Sequence, residues 1–265
     1  MTTEPPVLCE IDARGVATVR LNRPQRNNAY NGEMLQGLLD GVAALAADSS
    51  VRVIVLRGNG PHFQAGADLS WLREISRGDA AVNLEASRLT GQAVRAFNEL
   101  AKPTIALVHG STVGGGTGVL AACDVVIAQE DANFAISEAR WGLAATVIFP
   151  QLNEAIGLRN VRRYALSCER FGAAKAMAMG LVHEVCAPGA LDAAAAPIIE
   201  CLLQSAPDAI AVSKHCAMSC AGALIDDARF ADLVALHSAK RQSAEASEGL
   251  ASFAEKRAPF WSVRS

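Results

Sequence analysis

Thr104-Ile105-Ala106-Leu107-Val108, then Gly114-Gly115-Gly116, then Val119-Leu120-Ala121-Ala122-Cys123 is the most informative run of this chain. An extended apolar segment, a glycine turn and a short helical stretch, in that order, leave backbone N–H groups unpaired at a helix start. Glycines let a ligand approach the backbone with no Cβ in the way. Donors placed like this stabilise a phosphate, or an oxygen that gains negative charge during a reaction. No Lys-Ser or Lys-Thr follows the glycines, so they do not form a P-loop, and no Gly-x-Gly-x-x-Gly fits, which disfavours a dinucleotide fold. An oxyanion stabiliser is the better reading. The alternative is a tight turn where helix and strand pack closely.

A second segment, Phe63-Gln64-Ala65-Gly66-Ala67-Asp68-Leu69, follows another buried-strand pattern, Val51-Arg52-Val53-Ile54-Val55-Leu56, and leads into a helical stretch through Trp71 and Leu72. If the two strands lie side by side, each loop can supply one N–H to the same carbonyl oxygen. Downstream, Phe134-Ala135-Ile136-Ser137-Glu138-Ala139-Arg140 puts a carboxylate in a mostly apolar context. Desolvation there raises its pKa and suits it to proton transfer near neutral pH. Two donors and one acid–base carboxylate are the minimum for chemistry through an enolate.

The 265 residues, 51% hydrophobic and 19% charged, suffice for one substantial globular domain with or without an appendage. No apolar run approaches the ~20 residues needed to cross a bilayer. The opening Met1–Pro6 lacks the basic and apolar regions of a signal peptide, so a cytoplasmic protein without a membrane partner is expected. Seven scattered cysteines without C-x-x-C spacing read as reduced core residues, and the five histidines show no metal spacing. A net charge of −3 gives no basic footprint for nucleic acid.

Residues 7–12 and 16–21 alternate around Arg14-Gly15 as a hairpin. Helical spacing over 31–47, with Asn31 as N-cap, precedes strand 51–57 and helical stretches near 69–76 and 81–101. Strand 104–108, helix 116–122 and strand 124–128 follow. Strands alternating with helices predict an α/β fold with a parallel sheet and helical crossovers. From about residue 190 the chain turns alanine-rich and helical over 190–204, 208–220 and 223–243, with Pro197 and Pro207 interrupting or beginning elements. This tail carries more apolar surface than a short appendage needs, which predicts burial against another subunit.

At this point the chain resembles the crotonase, or enoyl-CoA hydratase/isomerase, superfamily. The carrying stretches are Leu21-Asn22-Arg23-Pro24 with Asn28-Ala29, Ala65-Gly66-Ala67-Asp68, His109-Gly110 with the glycine triplet, Cys123-Asp124, Ser137-Glu138 and Phe253-Ala254-Glu255-Lys256-Arg257. They occur in the family's order along nearly the whole chain. The resemblance is strongest to bacterial isohexenylglutaconyl-CoA and 3-methylglutaconyl-CoA hydratases, through Gly66–Trp71, Gly114–Asp124 and Arg140–Ala145, with Ala155-Ile156-Gly157 and Arg162-Arg163-Tyr164 adding to it. It implies a spiral of ββα units over residues 1–190 and a C-terminal helical region, 191–265, that organises homotrimers, often paired into hexamers. It further implies an acyl-CoA substrate and no metal or redox cofactor, CoA being part of the substrate.

The resemblance also implies roles for single residues. The backbone amides of Ala67 and Gly115 would hold the thioester carbonyl, and Glu138 would be the acid–base residue. Gly118 departs from ordinary enoyl-CoA hydratases, which carry a second catalytic Glu at the matching position. Arg26, beside Asn28 and Ala29, looks like the edge of the CoA groove, which Ala65, Asp68 and Leu69 complete. Phe253 and Lys256 match a C-terminal CoA contact that the family can lend across a subunit boundary. Asp124 reads as a local cap or ion-pair partner, and His109 as a backbone-packing residue. If residues 138–140 are extended, Arg140 shares a face with Glu138 and can hold a substrate carboxylate, or else pair with a neighbouring acid. Ala144 and Ala145 lie in the stretch that shapes the acyl end, where two small residues leave room for a bulky C3 substituent.

Overall fold

A computed structural model describes residues 4–223 and 226–262. β1 (Val7–Ile11) and β2 (Val16–Leu21) form the expected antiparallel hairpin. There follow α1 (Gly32–Ala47), β3 (Val53–Gly58), α2 (Leu69–Ser76), α3 (Ala80–Glu99), β4 (Thr104–Val108), β5 (Ser111–Val113), α4 (Gly115–Ala121), β6 (Val125–Gln129) and β7 (Asn133–Ala135). Next come α5 (Phe149–Ser167), β8 (Phe171–Gly172), α6 (Ala173–Met179) and β9 (Glu184–Cys186). Four helices end the chain: α7 (Leu191–Gln204), α8 (Pro207–Cys220), α9 (Asp227–Arg241) and α10 (Ala244–Ala254). Residues 224 and 225 of the expected 223–243 helix lie outside the described residues.

The main sheet runs β1-β2-β3-β4-β6-β9, parallel throughout except for the first hairpin, and β5-β7-β8 form a small second sheet. The apolar runs of the central strands are buried on both faces, as parallel strands under helical crossovers must be. Alternation sorts their side chains. Ile54, Leu56, Ala106, Val108, Val126 and Ala128 join α1 and α3 in the larger core. Val53, Val55, Ile105, Leu107 and Ile127 meet Leu191, Ala195, Ile199 and Leu203 of α7 in the other. The helix that opens the 191–265 region is thus packed on the sheet, whereas α8 and α9 bury no residue within the subunit.

Local chemistry fixes the helix starts. Asn31 accepts from the Met34 N–H, Asp68 from Ser70 and Asp79 from Val82, each satisfying a first-turn donor. No single helix among the described residues is long and apolar enough to cross a membrane. All seven thiols are free, and burial pushes that of Cys123 up to about 12, with the charge of Asp124 adding to it.

Candidate active site

β3 and β4 are neighbours in register, Arg57 opposite Leu107, so their C-terminal ends send two loops out side by side. The loops stay paired beyond the strands. Gln64 bridges Thr112, the Gln64 N–H donating to Ser111 and the Val113 N–H to Gln64. Gly66, at φ +82°, lies so close that a Cβ there would sit 3.0 Å from the Val113 carbonyl oxygen.

The chain around Tyr30 fixes the orientation of Ala67. The Tyr30 N–H donates to Gly66 O and the Asp68 N–H to Tyr30 O, both at 2.8 Å. This parallel bridge uses the groups flanking Ala67 and turns the Ala67 N–H to the other side. Gly114 adopts φ 55°, ψ −130°, a conformation for glycine only, and its N–H donates to Ala135 O. Gly115 then opens α4, where a first-turn N–H has no intrahelical partner. Among the described residues, neither the Ala67 nor the Gly115 N–H donates to a backbone acceptor.

Glu138 faces this turn. A Cβ at Gly114 would lie 3.0 Å from Glu138 Oε1, and Oε2 is buried with no hydrogen-bond partner. Burial drives its pKa up, only partly opposed by hydrogen bonds from the Ser137 and Glu138 amides. A desolvated, under-bonded carboxylate beside glycines is a functional-site signature. Gly118 has no room for any side chain, because its Cβ would lie 2.2 Å from Ile148 Cγ2.

Arg140 does not share a face with Glu138. Residues Glu138–Trp141 form a 3-10 turn rather than an extended segment, so residues two apart point about 120° apart. The Arg140 Nη2 donates to the Cys168 carbonyl, capping the end of α5, and makes no other hydrogen bond to a described residue. Asp68 is structurally engaged. One oxygen caps α2 through Ser70, and the other pairs with Arg23 at 3.0 Å. Burial alone would raise its pKa, but the hydrogen bonds from Arg23, Ser70 and Trp71 and the guanidinium charge together hold it low. Arg26 and Leu69 are exposed, and the Ala65 N–H donates to Asn27 O. Phe253 and Lys256 are exposed on and beyond α10. Asp124 is engaged, though not locally: it accepts from Thr104, 20 positions back, and pairs with Lys214, 90 positions on, while His109 contacts the Gly60 carbonyl.

Three residues escaped sequence reasoning. Arg23 ties Asp68 to the Ala29 carbonyl, Tyr30 packs on Gly115, and Ile148 fills the space over Gly118. Each acts through a contact distant in sequence, although Arg23 and Tyr30 lie in or beside a motif that carried the resemblance. A cavity of about 310 Å³ lies away from the glycines, between β1–β4 and α7. Most of its charged side chains pair with one another, Arg57 with Asp192 and Arg14 with Asp12.

Two loop amides without backbone acceptors and a desolvated carboxylate, at the C-terminal ends of neighbouring parallel strands, are groups of the kind that carbonyl activation and proton transfer need. Residues 12–264 match the family described as enoyl-CoA hydratase/isomerase. The chain belongs to this family and is an enzyme of the enoyl-CoA hydratase type. It is 32% identical over 253 residues to a putative enoyl-CoA hydratase of Thermus thermophilus, covering 95% of this chain and 99% of that one. An enoyl-CoA hydratase from Shewanella pealeana superposes with a TM-score of 0.93 at 34% identity, over 97% and 96% of the two chains. Pseudomonas aeruginosa AtuE superposes equally well, TM-score 0.93 at 33% identity, over 97% of this chain and 100% of that one.

Proposed function

We propose that this enzyme adds water across the α,β double bond of a 3-branched glutaconyl-CoA, with isohexenylglutaconyl-CoA preferred and 3-methylglutaconyl-CoA next. The observation that carries the reading is Glu138, half-buried with its Oε2 buried and unpartnered, and set against Gly114 beside two unused amides. The thioester oxygen accepts from Ala67 and Gly115. Glu138 takes a proton from water as the water oxygen bonds to C3, and the π electrons move through C2 onto the thioester oxygen. The enolate then collapses and C2 takes the proton back from Glu138. One molecule of water is consumed, and the amides supply the electrostatic stabilisation, so no metal or redox group is invoked.

Arg26, Ala65 and Leu69 form the proposed CoA rim, with Phe253 and Lys256 lent by a second subunit of a trimer or a dimer of trimers. Asp68 serves that rim through its backbone and its grip on α2. Arg140 is the candidate partner for the glutaconyl carboxylate, reaching it by leaving the Cys168 carbonyl. The branched substrate is supported by the chain's resemblance to the branched-glutaconyl hydratases and by the small residues at Ala144 and Ala145.

A second reading, double-bond isomerisation, is favoured by one observation. Ile148 closes the space at Gly118, leaving Glu138 as the single carboxylate to shuttle a proton. Incubation in 18O-labelled water separates the two. A hydratase yields labelled 3-hydroxyacyl-CoA, whereas conversion of substrate with no label incorporated establishes the isomerase. A branched glutaconyl-CoA should give a higher kcat/KM than crotonyl-CoA, and the reverse order would reject the proposed acyl group.

A further inference from the structure

Tyr30 is 9% exposed, and its hydroxyl makes no hydrogen bond with any described residue. The hydroxyl-bearing end of its ring abuts the glycine turn. A Cβ on Gly115 would sit 2.8 Å from both Cε1 and the hydroxyl oxygen. Trp71 meets the ring in an edge-on contact, centroids 6.1 Å apart at 67°. Phenylalanine would satisfy all of this packing. The hydroxyl, with no protein partner among the described residues, is thus free to bind a water or ligand atom beside Gly115.

The surrounding polar groups narrow what that is. Glu138 flanks Gly114, the adjacent residue of the same turn, and Ile148 bars any acid at 118. Gln64 Oε1 and Thr112 Oγ1 are also unpartnered, but Gly116 separates them from the cleft, since a Cβ there would lie 2.5 Å from Gln64 Oε1. The Tyr30 phenol lies against Gly115, one residue from the glycine that Glu138 faces, and close enough to feel the Glu138 charge.

We propose that Tyr30 is a catalytic residue, its hydroxyl oxygen accepting one hydrogen of the water whose other hydrogen Glu138 removes. The proposal rests on the hydratase reading above. As the water oxygen bonds to C3, one hydrogen passes to Glu138 and then to C2, and the hydrogen held by Tyr30 stays on the product hydroxyl. Burial and the charge of Glu138 raise the Tyr30 pKa, so the phenol stays neutral and takes no proton itself.

Tyr30→Phe tests this on the full-length enzyme with crotonyl-CoA. Hydration kcat should fall about ten- to a hundredfold with KM within twofold. Exchange of the C2 hydrogens of butyryl-CoA with D2O, which needs only Glu138 and the amides, should persist within threefold. Hydration within twofold of wild type would overturn the proposal. So would loss of hydration and exchange together, since a collapsed turn then explains both. Glu138→Gln is the control. If it hydrates normally, or if the wild type hydrates no 2-enoyl-CoA, the hydratase reading itself fails. If only Tyr30→Phe is silent, that reading stands without Tyr30.

Discussion

At Glu138, activity and stability pull in opposite directions. Burial raises its pKa above the ordinary 4.5, so folding disfavours its charged form. The stability linked to this group is fully present below its unfolded pKa and is lost as pH rises through the folded one. At neutral pH the carboxylate therefore costs stability. Glu138→Gln should raise Tm at pH 7 while lowering kcat at least about a hundredfold, and the acid limb of kcat/KM should lie above pH 4.5. Near-wild-type turnover of this variant would remove Glu138 from the chemistry. Arg23 shows the opposite sign. Its pair with Asp68 is 15% and 10% exposed, and removing one partner of such a pair costs about 3 kcal/mol. Arg23→Ala should lower Tm at pH 7. The penalty should shrink as pH falls below 3.8, where Asp68, held low by Arg23 in the native fold, takes up its proton. The sequence singled out Glu138 through its local apolar context and, above all, the family resemblance at Ser137-Glu138. The Arg23–Asp68 pair, with partners 45 positions apart, was not legible there.

Among the secondary-structure elements, those with strong periodicity were legible to within a few residues. The hairpin, α1 with its Asn31 cap, β3, β4, α3 and the chain order of loop and helix all follow from the apolar pattern and the turn residues. The short strands β5, β7, β8 and β9 escaped, because two or three residues show no period and exist only by pairing with distant partners. The extended conformation expected through Glu138 and Arg140 failed for a related reason. Strand β7 ends at Ala135, and the chain tightens into a 3-10 turn from Glu138. Within α5, Gly157 breaks the helix at φ 75°, ψ 150°, a region open essentially to glycine, with nothing within 4 Å of where a Cβ would be. Gly157→Ala should therefore act through backbone strain alone, lowering stability by about 1–3 kcal/mol. A lower urea midpoint at unchanged slope would report it. An unchanged midpoint would mean that the break relaxes into regular helix.

For the molecule as a whole, the C-terminal helices present surface that the subunit does not cover. Phe230, Leu250, Phe253 and Phe260 are 62–86% exposed, and α8 and α9 bury nothing of their own. Patches of this kind mark interaction surfaces. Sedimentation velocity should show a trimer or a hexamer. Leu250→Asp should shift it toward monomer and raise KM for the acyl-CoA, because Phe253 and Lys256 would no longer reach a neighbouring rim. Association unchanged in that variant would place the interface elsewhere. The helical character of the tail was legible from its alanine-rich composition, and α8 and α9 leave their apolar residues uncovered within the subunit. The docking of α7 on the sheet was not legible, since its apolar stripe is identical in kind to that of its neighbours.

The contact between Ile148 and Gly118 has a consequence for how this catalyst can change. With a methyl-sized gap already overfilled, Gly118→Glu alone should yield misfolded protein, while pairing it with Ile148→Gly should restore solubility. A two-acid descendant thus lies two simultaneous replacements away. Saturation mutagenesis at position 118 by itself should recover only glycine, and a library built to broaden the reaction must randomise both codons together.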